Sequence, residues 1–393
     1  MQDMGRVITL NGIDENQMIE TDVDRNGLNL KSKFEELRSI LEKHHGERHA
    51  IILQDYPDPD AISSAYAHQM LAAAFDIQTD ILYADRISHP QNIAMVRLLE
   101  IDVQRFDPDM DIGVYDGAVF IDNQGTTAQT ILADLVEKQI PAVLVIDHHS
   151  PQEGFQPEFS DIRKIGAVAS MYVEYLNHEG SPIALDRSNQ KHVFLATALM
   201  LGIITDTKHF ITATGEDFKA AQFLSHYRDP ELLEEILTQS RSKETMKVIH
   251  EALANRIVAE NFSIAGVGYL RSEDRDAIAQ AADFLVSEEN VHTAIIYGIV
   301  KDDRNEEAVV GSLRTTKLTL KPDEFLKDVF GKTESGNYFG GGKTEAGGFE
   351  IPVGFLSGDE AGKYGVLKWK VYDTQIKQRL FEKVGIEETL FEE

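Results

Sequence analysis

Several short apolar runs in this sequence end abruptly in acids and imidazoles. Residues 142–146, AVLVI, run straight into Asp147, His148 and His149. Residues 118–121 end in Asp122, Asn123 and Gln124. A further run near residue 50 leads to Gln54, and then to Asp58 and Asp60 on a turn stiffened by Pro57 and Pro59. An almost wholly apolar stretch, 192–205, delivers Asp206, a carboxylate that must be paired or bound to a cation to be tolerated there. Each residue alone has a plainer reading: Asp60 as a helix N-cap, Asp206 as a surface cap, the histidine pair as solvated loop. Gathered at one edge, these oxygen and nitrogen ligands would repel one another without cations. Two divalent ions would relieve the repulsion and supply hydrolytic chemistry. The chain has no cysteine, and an oxygen-plus-imidazole set suits manganese or magnesium better than a structural zinc.

Such a gathering needs a scaffold that aligns strand ends. An apolar run that stops at polar residues reads as a buried strand of a parallel sheet. Strands at 49–55, 80–83, 118–121 and 142–146 alternate with helical patterns at 31–45, 61–75, 91–99 and 127–138. This predicts an α/β fold, a parallel sheet with helices on both faces, whose carboxyl edge binds ligands. A polar loop then reaches Ile165, and helices follow at 166–178 and 192–207. Residues 216–260 read as a helical linker. A smaller α/β domain is expected over 261–372, with strands at 262–270, 291–300 and 307–314 and a helix at 274–287. It closes on a glycine-rich stretch, 338–348, whose amides could approach an anion. Residues 1–47 read as an acidic extension with one helix, 48–215 as the metal-binding domain, and 373–393 as a charged peripheral tail.

Composition narrows the partners. A formal charge of −28 over 393 residues disfavours long nucleic acid and anionic membranes. A phosphate-bearing substrate should therefore be short. No secretory signal and no apolar run of about 18 residues is legible, so a cytoplasmic, non-membrane protein is expected. A homodimer is compatible with the sequence.

The motifs QDYPDPDAISSA, FIDNQG, VIDHHS and GIITDT, in this order, resemble the metal-site motifs of the DHH phosphoesterase superfamily. FGGGKTEAGGF, with GSLRTT upstream, is similar to the DHH-associated C-terminal domain of its RecJ-like and oligoribonuclease-like members. The resemblance covers roughly residues 48 to 358. It implies one metal held by Asp58 and a bridging Asp122, and another by Asp60, Asp122, His148 and Asp206. Asp147 would orient a neighbouring imidazole, and His149 would face the substrate phosphate. In the second domain Ser312, Arg314, Gly340, Gly341, Gly342 and Lys343 would hold the substrate. Two positions depart from the family pattern: Gln54 stands where an imidazole ligand is usual, leaving room for a group such as Asp55, and Lys343 replaces a histidine.

The resemblance thus implies a two-metal phosphodiesterase that activates water against short nucleotides in a cleft between the domains. Candidate substrates are oligoribonucleotides, linear or cyclic dinucleotides, and 3′-phosphoadenosine 5′-phosphate. A pyrophosphatase or polyphosphatase of the same superfamily, or a catalytically decayed nucleotide sensor, are the alternatives. Gln54 motivates the last of these.

Overall fold

The computed structural model describes residues 32–87, 89–152, 156–301, 306–333, 336–343, 345–358 and 362–386. The extension before residue 32, Thr344 of the glycine-rich stretch and the end of the charged tail from 387 lie outside the described residues. The chain divides into two compact units: Met1–Ile87 with Met95–Leu237, and Ser88–Ala94 with Thr238–Glu393.

Elements up to residue 237 are α1 (Lys33–Lys43), β1 (Arg48–Ile52), α2 (Pro59–Ala73), β2 (Gln78–Tyr83), α3 (Pro90–Leu98), β3 (Val103–Arg105), β4 (Gly117–Ile121), α4 (Gln129–Glu137), β5 (Ala142–Asp147), β6 (Phe159–Ile162), α5 (Val168–Asn177), α6 (Gln190–Asp206), α7 (Gly215–Ser225) and α8 (Pro230–Leu237). The sheet runs β3-β2-β1-β4-β5-β6, and every pairing is parallel. Strand order reverses direction between β1 and β4, which makes their carboxyl ends the switch point where ligands bind in such sheets. Ala50, Ile52, Phe120 and Val145 pack with Ile131 and Leu135 of α4 on one face. The alternate residues Ile51, Ile81, Val119 and Leu144 are fully buried as well. Both faces are therefore covered, as the continuous apolar runs require. The edge strand β6 falls where the sequence suggests loop, and β3 falls in a stretch to which the sequence assigns no element. They are short, and in β6 (FSDI) only Phe159 and Asp161 are buried.

The expected linker at 216–260 is no free arm. Its helical pattern resolves into three helices: α7 packs on α5 and α6, and α8 packs on α6. The third, α9 (Lys243–Asn255), belongs to the second unit.

After α9 come β7 (Ile257–Ala259), β8 (Phe262–Arg271), α10 (Asp276–Leu285), β9 (Thr293–Lys301), β10 (Glu307–Thr315), α11 (Pro322–Phe330), β11 (Gly340–Gly342), β12 (Ala346–Pro352) and α12 (Gly362–Val384). The sheet order is β11-β12-β10-β9-β8-β7, parallel only between β8 and β9. Helices α9 and α10 bury Ile249, Ala252, Ile278 and Ala281 against one face. The other face takes Leu326 and Phe330 of α11 with Ile376, Leu380 and Phe381 of α12. The tail expected to be peripheral from residue 373 is thus a core helix. Its charges mask an apolar stripe at i, i+4 and i+5 that covers a sheet face.

Candidate metal centre

Pairing across the first sheet sets its carboxyl ends level: Ile52 lies beside Phe120, and Ile121 beside Ile146. The residues just beyond these strands therefore converge. Asp122 leaves β4 with φ 57°, a left-handed conformation that is unfavourable for a residue with a Cβ. Asp122 is 3% exposed, and its Oδ1 is buried with no hydrogen-bond partner. That oxygen lies 3.4 Å from His148 Nε2 and 3.6 Å from His149 Nδ1. Burial, with Asp58, Asp60, Asp147 and Asp206 nearby, raises the Asp122 pKa well above the ordinary carboxylate range.

His148 is oriented by the backbone. Its Nδ1 contacts the Ile165 carbonyl at 3.0 Å, which places a proton on Nδ1 and, in the neutral ring, leaves the lone pair on Nε2. Nε2 also lies 3.3 Å from Asp206 Oδ2. Asp60 is fully buried, and its two oxygens accept from Val168 N at 2.7 Å and Ala169 N at 2.8 Å, the first amides of α5. A carboxylate at a helix N-terminus is favourable. Even so, burial and then Asp206 push the Asp60 pKa up to about 8. The plain reading of Asp60 as an N-cap does not hold: Asp58 is the N-cap of α2, accepting from Ala61 N at 3.0 Å, and Asp60 stands inside the helix.

Asp147 accepts from the His148 and His149 amides, from His149 Nδ1 at 2.8 Å and from Gln124 Nε2 at 2.6 Å. Its pKa is lowered, because these bonds outweigh the effect of burial. Asp147 thus orients His149, while a carbonyl orients His148. The bracing by Gln124 went unread, although Gln124 stands in the same FIDNQG run as Asp122. Also unread were three consecutive left-handed residues after Asp206, Lys208, His209 and Phe210, with φ of 51°, 57° and 67°. Nothing in their residue types announces that turn.

Gln54 departs from a ligand's pose, since its Nε2 donates to Asp58 Oδ2 at 3.3 Å. Asp55 is half-buried with an unpartnered Oδ1, and burial together with Asp85 raises its pKa. The side chains brought together as potential ligand sets are Asp60, His148 and Asp206, and Asp122, His148 and His149. They fit divalent cations: hard oxygens and an imidazole lone pair converge on a buried carboxylate oxygen that no protein donor satisfies.

The second-unit residues have structural occupations of their own. Arg314 Nε contacts Asp283 Oδ1 at 2.6 Å, and its Nη1 contacts Ser312 Oγ at 2.7 Å. Gly340, Gly341 and Gly342 form a strand and not the expected loop, pairing with Phe349, Gly348 and Gly347. The Gly342 amide points at Asp323 Oδ1, 3.3 Å away, so a carboxylate already occupies the place expected for an anion. A Cβ on Gly342 would lie 2.5 Å from the Ala346 carbonyl oxygen, and one on Gly347 would lie 2.7 Å from Leu326. The glycines let α11 and the hairpin approach closely. Lys343, just beyond, is exposed.

No family profile matches the chain. It is 33% identical over 378 residues to the uncharacterized protein MJ1633 of Methanocaldococcus jannaschii, across 91% of this chain and 71% of that protein. It is 23% identical over 273 residues to the cyclic-di-AMP phosphodiesterase PdeA of Listeria monocytogenes, across 63% of this chain but 38% of that one. The chain belongs to the DHH phosphoesterase superfamily. The relatives whose names state an activity are cyclic-di-AMP phosphodiesterases. The fold recurs in the crystal structure of an exopolyphosphatase-related protein from Bacteroides fragilis, with a TM-score of 0.63 at 14% identity, covering 89% of this chain and 97% of that one. Among the described residues no helix is long and apolar enough to cross a membrane.

Proposed function

We propose that this chain is a metal-dependent phosphodiesterase acting on short nucleotides, with linear or cyclic dinucleotides as the leading class. The reading is carried by Asp122, a buried carboxylate with an unpartnered oxygen facing the His148 lone pair beside Asp60 and Asp206. Asp58, Asp60, Asp122, His148 and Asp206 would hold divalent ions, manganese or magnesium. Such ions lower the pKa of an attacking water and neutralise charge on a phosphoryl group. His149 is 39% exposed at its side chain, and its Nδ1 is committed to Asp147. Nε2 is then the atom that meets a phosphoryl oxygen, with Asp147 holding the ring in place. Arg314 supplies a planar, always charged group for a second phosphate or a base, braced by Asp283 and Ser312. Cyclic di-AMP enters as a candidate because the Listeria relative acts on it.

The test is hydrolysis of a panel with Mn2+ and then Mg2+: cyclic di-AMP, linear diadenylate, a five-residue oligoribonucleotide, 3′-phosphoadenosine 5′-phosphate and pyrophosphate. Turnover of at least one nucleotide ester is expected. Asp122→Ala should abolish it while leaving a cooperative thermal transition. Turnover retained by that variant would sink the role of Asp122, and pyrophosphate as the sole substrate would replace the nucleotide reading with a pyrophosphatase.

A further inference from the structure

A second cluster of potential ligands lies at the other end of β1. The turn from α1 into β1 is short, and Gly46 in it takes φ 84°, which folds Glu47 back over His44. The Glu47 amide donates to the His44 carbonyl. His49, two residues on, points to the same side. Glu47 Oε2 lies 2.6 Å from His44 Nδ1 and 2.9 Å from His49 Nε2. The two rings meet edge to face, with centroids 5.3 Å apart. His49 is fully buried and His44 is 8% exposed, while the Glu47 side chain keeps 36% exposure and with it an entry path.

We propose that His44, Glu47 and His49 bind one divalent transition-metal ion of the zinc type, at the edge of the first sheet opposite Asp122. The ligand atoms lie within 4.8 Å of one another. Tetrahedral zinc with imidazole and carboxylate ligands separates its donors by about 3.3 Å, so a small outward turn of the half-exposed Glu47 opens the space. The contacts of His44 favour the ion over a plain hydrogen bond. Its Nδ1 faces Glu47, and its buried Nε2 faces Glu158 Oε1 at 3.5 Å without a hydrogen-bond partner. A neutral ring that donates from Nδ1 turns a lone pair on Glu158. A ring that gives its Nδ1 lone pair to a cation carries its proton on Nε2, aimed at that carboxylate, which is the usual arrangement behind a ligating histidine. His44 is also the C-cap of α1, where the helix dipole favours positive charge. The fourth position is left to water. The ion would tie the end of α1 to the start of β1. His49 and Gln54 are five residues apart along an extended chain, about 17 Å, so this site is separate from the Asp122 cluster.

The experiment uses the full chain with Asp122→Asn and Asp206→Asn, which strips ligands from the other cluster. The protein is loaded with Zn2+, dialysed, and its zinc counted by elemental analysis, and Co2+ is then followed by its visible spectrum. One zinc per chain, a visible Co2+ band typical of low coordination number and a zinc-dependent rise in Tm are expected. His44→Gln and Glu47→Gln should each weaken zinc affinity at least about tenfold and cancel the rise in Tm. Should His44→Gln fail to fold, Glu47→Gln, on the half-exposed side chain, decides alone. No zinc retained would overturn the proposal. So would zinc binding that Glu47→Gln leaves within twofold. Neither result bears on nucleotide turnover by the unaltered chain.

Discussion

Asp60 and Asp122 are held in places where their charge is costly, and that cost is readable as a pH dependence. Burial and neighbouring carboxylates raise both pKa values, Asp60 to about 8. His148 shifts the same way: burial opposes its charge, but Asp60 and Asp206 outweigh that and raise its pKa. A group whose pKa is raised on folding contributes stability fully below its unfolded pKa and loses it as pH rises through the folded value. The metal-free protein should therefore lose stability between about pH 4 and pH 8. Mn2+ should restore it and bind more tightly as pH rises, because fewer protons must be displaced. Tm measured against pH with and without Mn2+ checks both halves, and a metal-free Tm that climbs over this window contradicts the burial of these charges. Gln54 offers a separate test. Its amide nitrogen faces Asp58, whereas an imidazole there would add a ligand. Gln54→His should lower the Mn2+ concentration needed for half-maximal activity about tenfold. Unchanged metal dependence would mean that position 54 contributes no ligand in either form.

The site is positioned by helix packing as much as by strand ends. α2 and α6 cross closely because α6 carries Gly202, where a Cβ would lie 2.5 Å from Ser63 Oγ and 3.1 Å from the Asp60 Cα. Gly202→Ala must push α2 away, and Asp60 moves with it. Overpacking of this kind costs about 1–3 kcal/mol. The lowered Tm should come with weaker Mn2+ binding, and a variant that loses stability at unchanged metal affinity would show that Asp60 is not held by this crossing. At this scale the sequence was legible where elements are long and apolar: β1, β4, β5 and α6 were read close to their observed bounds. It was opaque where burial depends on a partner distant in sequence. The four-residue β6 looked like loop because nothing local says that it pairs with β5. α12 looked peripheral because its charges outnumber the Ile376, Leu380 and Phe381 stripe that tertiary contact selects. Within the site, the ligand candidates announced themselves by type and spacing. The groups that orient them, the Ile165 carbonyl and the Val168 and Ala169 amides, are backbone atoms and carry no sequence signal.

The proposed function assigns chemistry to the first compact unit and recognition to the second. The candidate ligands all stand before residue 207, and Arg314 and Lys343 stand in the second unit. On that proposal the first unit alone would serve a bare phosphoanhydride, whereas a nucleotide would offer a second phosphate or base to Arg314. Arg314 is the better probe of this division, because the neighbouring glycine hairpin is already accounted for by packing against α11. Arg314→Ala should lower kcat/KM for a dinucleotide by about 10- to 100-fold, chiefly through KM, since a charged pair is worth about 1.5–3 kcal/mol. Any pyrophosphate hydrolysis should stay within about twofold. The protein's charge of −28 adds a second expectation. A chain without a long basic track releases few counterions, so KM for the dinucleotide should vary weakly with salt and a long single strand should compete poorly. Equal loss on both substrates would mean that Arg314 supports the metal-binding unit and not recognition. Strong competition by long single strands would mean that local cations override the acidic surface, and the substrate class would then have to be widened to polymers.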